Sequence, residues 1–146
     1  PLIRSDTLRT ILELHTKTNA SATMATSVVE DPTGYGRIVR DNAGRFLKIV
    51  EQANATDQER AIREINPSYY CFRLGDLKDG LARVAPNAKS GEEYVTDVPE
   101  LLLADGKRVE VIDAVPPEDV LSINTPAQLA EVDAIFRSRR SVADNG

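Results

Sequence analysis

Tryptophan is absent from this 146-residue chain, and cysteine, histidine and methionine occur once each. The single Cys71 cannot close an internal disulfide, and with only His15 beside it no zinc-type Cys/His spacing exists. Neither a Gly-x-Gly-x-x-Gly turn nor a P-loop is present, so the phosphate cradle of a complete nucleotide enzyme is missing from these residues. Basic runs are missing too: 18 Lys and Arg stand against 23 Asp and Glu, a net charge of −5. That balance argues against a nucleic-acid partner but leaves room for a small phosphate ligand held by a few local donors. No apolar stretch approaches the roughly 20 residues of a membrane span, and no charged-then-apolar leader opens the chain. What is there is ordinary for a globular protein, with 41% apolar and 28% charged residues. A chain of one domain's length buries roughly 68–70% of its unfolded surface and needs no staples. The expectation is one soluble, cytoplasmic domain without a membrane contact, and a start at Pro1 in place of Met points to residues upstream.

The hydrophobic period alternates between helical and strand values, which predicts an α/β chain. Leu8, Ile11, Leu12 and Leu14 recur at helical spacing over residues 6–17, with Ser5 or Asp6 as the cap. Residues 22–29 read as a strand, stopped by Asp31-Pro32-Thr33-Gly34. Residues 37–40 and 45–50 flank Asp41-Asn42-Ala43-Gly44 and predict a hairpin. Thr56 with Glu59 suggests a short capped helix. Residues 68–72 form a dense aromatic strand, 77–84 a short helix, 86–93 a loop, and Thr96 or Asp97 opens a helix through Leu103. Strands are expected at 108–115 and, after Pro116-Pro117, at 120–123. Thr125-Pro126-Ala127-Gln128 is a strong helix opening, with Leu129, Val132, Ile135 and Phe136 facing the core. From about residue 138 the polar tail is expected to be flexible.

His15 and Cys71 read as partly buried structural side chains. The informative pattern is polar residues at strand ends: Tyr35-Gly36-Arg37 after a Pro/Gly turn, Glu51 closing the hairpin, Asn66 opening the aromatic strand and Asn124 closing the last one. Ligands gather at such ends in open α/β sheets. Glycine admits close approach of a backbone N–H, a carboxylate accepts from adjacent sugar hydroxyls, and an Asn both donates and accepts. Each residue alone also has a plain structural reading, as turn, solvated strand end or cap.

These residues carry a resemblance. Residues 31–38 (Asp-Pro-Thr-Gly-Tyr-Gly-Arg-Ile), Ile49-Val50-Glu51-Gln52, residues 54–60, Arg63-Glu64-Ile65-Asn66, residues 91–97 and Ile123-Asn124-Thr125-Pro126-Ala127-Gln128-Leu129 resemble the pyrophosphorylase domain of the bifunctional N-acetylglucosamine-1-phosphate uridyltransferases, in order and over nearly the whole chain. The resemblance implies a Rossmann-like nucleotidyltransferase fold, with a mixed, mostly parallel sheet and a β-hairpin. It implies transfer of UMP from UTP to N-acetylglucosamine 1-phosphate, with magnesium (Mg2+) neutralising charge and no protein nucleophile, for cell-envelope precursor synthesis. By the match Tyr35, Gly36, Glu51 and Asn66 line the sugar, Glu92, Tyr94 and Thr96 wall its N-acetyl group, and Asn124 is a substrate contact and magnesium ligand.

The family's glycine-rich nucleotide loop, its basic residue and its second metal ligand would lie before Pro1, and its acetyltransferase domain, which largely makes the family's homotrimer, would follow. Residues 1–146 are thus expected to be the sugar-binding portion, inert alone, with no catalytic side chain of its own. Departures fall on the sugar side: Asn66-Pro67-Ser68 replaces Asn-Thr-Gly, Glu93 replaces an aromatic and Ser122 a glycine. A related transferase with another sugar or base, and a non-catalytic binding module of the same fold, are the rival readings.

Overall fold

The computed structural model describes residues 2–121, 123 and 125–143, with side chains through residue 140. Among the described residues five α-helices and five strands are interspersed along the chain. Helix α1 (Ser5–Thr18) ends where Asn19 enters the left-handed region at φ 53° and returns its N–H to the carbonyls of His15 and Thr16. Asparagine tolerates that conformation, which makes it a natural stop. Its N-cap is Arg4, in extended backbone and without a side-chain cap bond. The expected Ser5 or Asp6 cap is therefore one or two positions late.

Strand β1 (Ala22–Val28) is buried through six consecutive residues, the mark of a strand covered on both faces. The hairpin is β2 (Gly36–Arg40) and β3 (Phe46–Val50). Its turn closes on Asp41, whose Oδ1 accepts the N–H groups of Ala43 and Arg45 at 2.9 Å each. The one-turn helix α2 (Asp57–Arg60) carries the full reciprocal box between Thr56 and Glu59. Strand β4 (Glu64–Phe72) starts four residues earlier than its aromatic run suggests. Helices α3 (Leu74–Leu81) and α4 (Val98–Ala104) follow, with a 3-10 turn at Val95–Asp97 before the latter. A Cβ on Gly80 would stand 2.7 Å from Val98 Cγ1, so α3 meets α4 closely only because residue 80 is glycine. Helix α3 lies three residues ahead of the expected span, since residues 82–84 already form turn bonds to Lys78, Gly80 and Leu81.

The sheet order is β3-β2-β4-β1-β5, with β5 at Val109–Asp113. Only β1–β5 is parallel; β1–β4, β2–β3 and β2–β4 are antiparallel. The sheet is mixed as expected, but antiparallel pairing dominates among the described strands, because both the hairpin and β4 run back along their neighbours. Side chains alternate along β1. Met24 packs with Ile38, Phe46 and Ile49, and Ala22 with Val98 and Leu102 of α4, while Ala25 joins Ile11 of α1 and Val115. Of the expected apolar stripe of α1 only Ile11 is buried, while Leu8 and Leu12 are 52% and 57% exposed.

Of the strand expected at 120–123, Val120, Leu121 and Ile123 have no strand structure, and Ser122 lies outside the described residues. Pro117–Asp119 is instead a 3-10 turn, and the prolines before it turn the chain so that Asp119 is drawn inside. Its carboxylate is fully buried and takes Arg4 Nε at 2.7 Å and Arg139 Nη2 at 2.5 Å. Arg139 belongs to α5 (Pro126–Ala143) and also donates to the Leu2 carbonyl at 3.2 Å. The helix opens as expected, Thr125 Oγ1 accepting the Gln128 N–H at 3.2 Å. It continues past residue 138. Of its apolar residues Val132 is buried, whereas Leu129 and Phe136 are exposed.

Candidate functional site

Four of the sequence-derived residues converge at the hairpin's open end. Gly36 pairs with Asn66 across β2 and β4. Arg37 pairs with Val50, so the next step along both strands brings Gly36 beside Glu51. A Cβ built on Gly36 would lie 3.5 Å from both Glu51 carboxylate oxygens and 2.9 Å from Ile49 Cγ2. The glycine is needed here for space: a Cβ would collide with Ile49 and lie in van der Waals contact with the carboxylate. From the third side Thr96, in the turn before α4, donates its hydroxyl to Glu51 Oε1 at 2.8 Å. Glu51 is half-buried and has no ion-pair partner among the described residues. One hydrogen bond leaves most of a carboxylate's acceptor positions unused.

Asn66 is 5% exposed. Its Oδ1 accepts the Ser68 N–H at 3.1 Å and its Nδ2 donates to the Tyr70 hydroxyl at 2.6 Å. The local backbone explains this geometry. Ile65 pairs with Ser27 and Tyr69 with Ala25, so Asn66, Pro67 and Ser68 stand opposite Thr26 alone, in a bulge. Proline, which cannot donate to a ladder, is tolerated there. Ser68 takes φ 66°, a left-handed conformation that favours glycine, where the resembling family has glycine. Tyr70 is the participant that sequence reasoning missed, since it reads as one more core aromatic. The available signal was a proline inside a strand, which marks a bulge and lets residues four apart meet. Burial, with the Glu51 charge adding, pushes the Tyr70 hydroxyl above its ordinary pKa, against the opposing bonds from Asn66 and Ser68. It therefore serves as a neutral hydrogen-bonding group.

Three other predicted residues are placed differently. Tyr35 donates its hydroxyl to the Val120 carbonyl at 2.7 Å, tying the turn before β2 to the 117–120 segment. Tyr94 donates to Glu92 Oε2 at 3.0 Å and lies 2.8 Å from Ser90 Oγ. That pair organises the exposed loop leading to Thr96, and its side-chain hydrogen bonds among the described residues stay within the loop. Asn124 lies outside the described residues. Among the described residues no group of three or more His, Cys, Asp or Glu side chains converges on a point that could hold a metal. His15 is held by Thr23, with Nδ1 3.0 Å from Oγ1, and Cys71 is half-buried beside the α1 core. Burial raises the Cys71 thiol pKa, so it is not an activated nucleophile.

A polar cluster gathered by strand ends of a mixed sheet, with helices packed on that sheet, defines an α/β domain with a candidate binding site at the hairpin's open end. The chain belongs to the nucleotidyl transferase family, which it matches over residues 2–116. It is 41% identical over 140 residues to the bifunctional protein GlmU of Solibacter usitatus and 45% identical over 139 residues to that of Geobacillus thermodenitrificans. Those alignments take in 96% and 95% of this chain, which spans only 30% of either relative's length. Among solved structures it is similar to a UDP-glucose pyrophosphorylase complexed with UDP-glucose. There the TM-score is 0.58 at 16% identity, covering 77% of this chain and 43% of that one. It is also similar to a nucleoside-diphosphate-sugar pyrophosphorylase from Vibrio cholerae, with TM-score 0.56 at 13% identity over 80% and 47%. At these identities the likeness establishes the fold. No helix among the described residues is long and apolar enough to cross a membrane.

Proposed function

We propose that this chain is the sugar-binding portion of a cytoplasmic uridylyltransferase. The reaction moves UMP from UTP to N-acetylglucosamine 1-phosphate, releases pyrophosphate and yields UDP-N-acetylglucosamine for cell-envelope synthesis. The observation that carries this reading is Glu51: a half-buried carboxylate with no ion-pair partner among the described residues, braced by Thr96 and lying against a glycine. Such a group takes hydrogen bonds from two neighbouring hydroxyls of one hexose. Asn66, fixed at both ends of its amide, has one N–H left to offer the same ring. Thr96 holds the carboxylate in place, and the loop ordered by Ser90, Glu92 and Tyr94 forms the neighbouring wall. The ordered motifs that resemble the uridyltransferases support N-acetylglucosamine as the sugar.

In this reading the chain's residues bind and orient the sugar phosphate, and the attacking phosphate belongs to the substrate, so positioning accounts for their share of catalysis. Magnesium, when bound, neutralises charge on the phosphates. Asn124 is the ligand this chain would supply, and the rest of the metal site belongs with a nucleotide-binding portion. A trimeric assembly of the longer protein belongs to the same proposal.

The test is calorimetric titration of the intact protein carrying this chain with UDP-N-acetylglucosamine. Glu51→Gln should weaken binding roughly 10- to 100-fold, from the loss of about 1.5–3 kcal/mol of charged hydrogen bonding, with the melting temperature kept. Unchanged affinity would remove Glu51 from the site. A related transferase with another sugar is the second reading, favoured by the Pro67-Ser68 bulge. A clear preference for glucose 1-phosphate over N-acetylglucosamine 1-phosphate would decide for it.

A further inference from the structure

Arg37 is 1% exposed, and no carboxylate lies within ion-pairing distance among the described residues. Its Nη1 donates to the Tyr35 carbonyl, its Nη2 to Gln52 Oε1 at 2.7 Å, and its Nε has no partner. Burial pushes its pKa below the usual arginine range, Asp31 pulling back and Arg60 adding to the depression. A charge buried without a counterion costs stability, and a neutral chain of the same length would avoid that cost. What a neutral chain lacks is the planar fork.

The fork's targets are telling. Tyr35 immediately precedes Gly36, and Gln52 immediately follows Glu51. Gln52 Oε1 also accepts the Gly34 N–H at 3.3 Å, so the same grip reaches back into the turn. Because strand side chains alternate, Arg37 points to the face opposite that of its neighbour Gly36. It closes the two strand ends from behind while the carboxylate and glycine meet in front.

We propose that Arg37 is a positioning residue for the sugar site, clamping the residues that flank Gly36 and Glu51 and so fixing the carboxylate against the glycine. The inference rests on the sugar-binding reading above and adds a residue to it. Lysine, a point charge, can satisfy one of the two acceptors but cannot hold both in one plane. Methionine fills the volume and holds neither.

The experiment compares Arg37→Met, Arg37→Lys and Arg37→Ala in the intact protein. Arg37→Met should melt no lower than wild type yet bind UDP-N-acetylglucosamine about tenfold more weakly, the weight of one lost charged hydrogen bond. KM for the sugar phosphate should rise while KM for UTP stays fixed, and amide exchange should quicken at Gly34 and Gly36 but not in β1. Millimolar guanidinium, far below denaturing levels, should restore binding to Arg37→Ala, and methylammonium should not. This rescue keeps the test sound if Arg37→Met folds poorly. Wild-type affinity in Arg37→Met, or binding loss that merely follows the melting temperature without guanidinium rescue, would overturn the positioning role alone. A wild-type protein that binds no sugar nucleotide would overturn the sugar-binding reading first, and this inference with it.

Discussion

Two buried charges sit at opposite ends of this molecule's polar chemistry. Asp119 is fully buried and gripped by Arg4 and Arg139, which reach it from the chain's beginning and from its last helix. Arg37 is as deeply buried but binds only a carbonyl and an amide. The first charge is compensated, and its geometry ties three distant segments together. The second is uncompensated among the described residues, and its geometry serves two residues that flank Gly36 and Glu51. A paired ion at this depth marks scaffold; an unpaired one that orients neutral groups marks a site being held in shape.

The comparison can be broken experimentally, most forcefully at the paired end. Asp119→Ala should cost roughly 2–4 kcal/mol in urea unfolding, since the charged hydrogen bonds from two arginines disappear together. A loss below about 0.5 kcal/mol, the range of ordinary surface changes, would mean the paired charge holds nothing. Gly36→Ala comes next. Its methyl group would stand 2.9 Å from Ile49 Cγ2 and in contact with the Glu51 carboxylate, so stability should fall by about 1–3 kcal/mol as for other overpacked sites. Sugar-nucleotide affinity should fall with it, read by calorimetry on the folded fraction. Ser68→Gly should give the smallest effect and the opposite sign. Relief of the left-handed serine, worth about 1–2 kcal/mol, is partly offset by glycine's entropy and by the lost contact with Tyr70. A net gain of up to about 1 kcal/mol is expected in the same unfolding assay.

Much of the architecture was legible because local chemistry and tertiary context agreed. The Asp41–Gly44 turn, the Thr56–Glu59 box and the Thr125-Pro126 opening each place their own hydrogen bonds, and the structure forms them. Val120, Leu121 and Ile123 do not take up the expected strand because Pro116-Pro117, read only as the stop of the strand before them, open a 3-10 turn, and two arginines hold Asp119 inside. The exposed Leu8 and Leu12 show a similar limit: periodicity marks a helix face but not how much of it finds a partner. At the candidate site Gly36, Glu51 and Asn66 were visible as polar strand ends, whereas Tyr70 needed the bulge and Arg37 needed burial. Charge alone makes an arginine on a strand look solvated. Only the fold shows that this one faces inward.

The bulge in β4 has a further consequence, for how this segment tolerates changes in length. Between Ile65 and Tyr69 the strand carries two residues more than its partner, an even excess, so Tyr69 and Ile65 still point the same way as Ala25 and Ser27. Losing a single residue there would turn Tyr69 through Phe72 inside out. Removing Pro67 and Ser68 together would preserve the phase of the strand and erase the kink. In this stretch parity, more than length, separates a reshaped specificity from a broken domain.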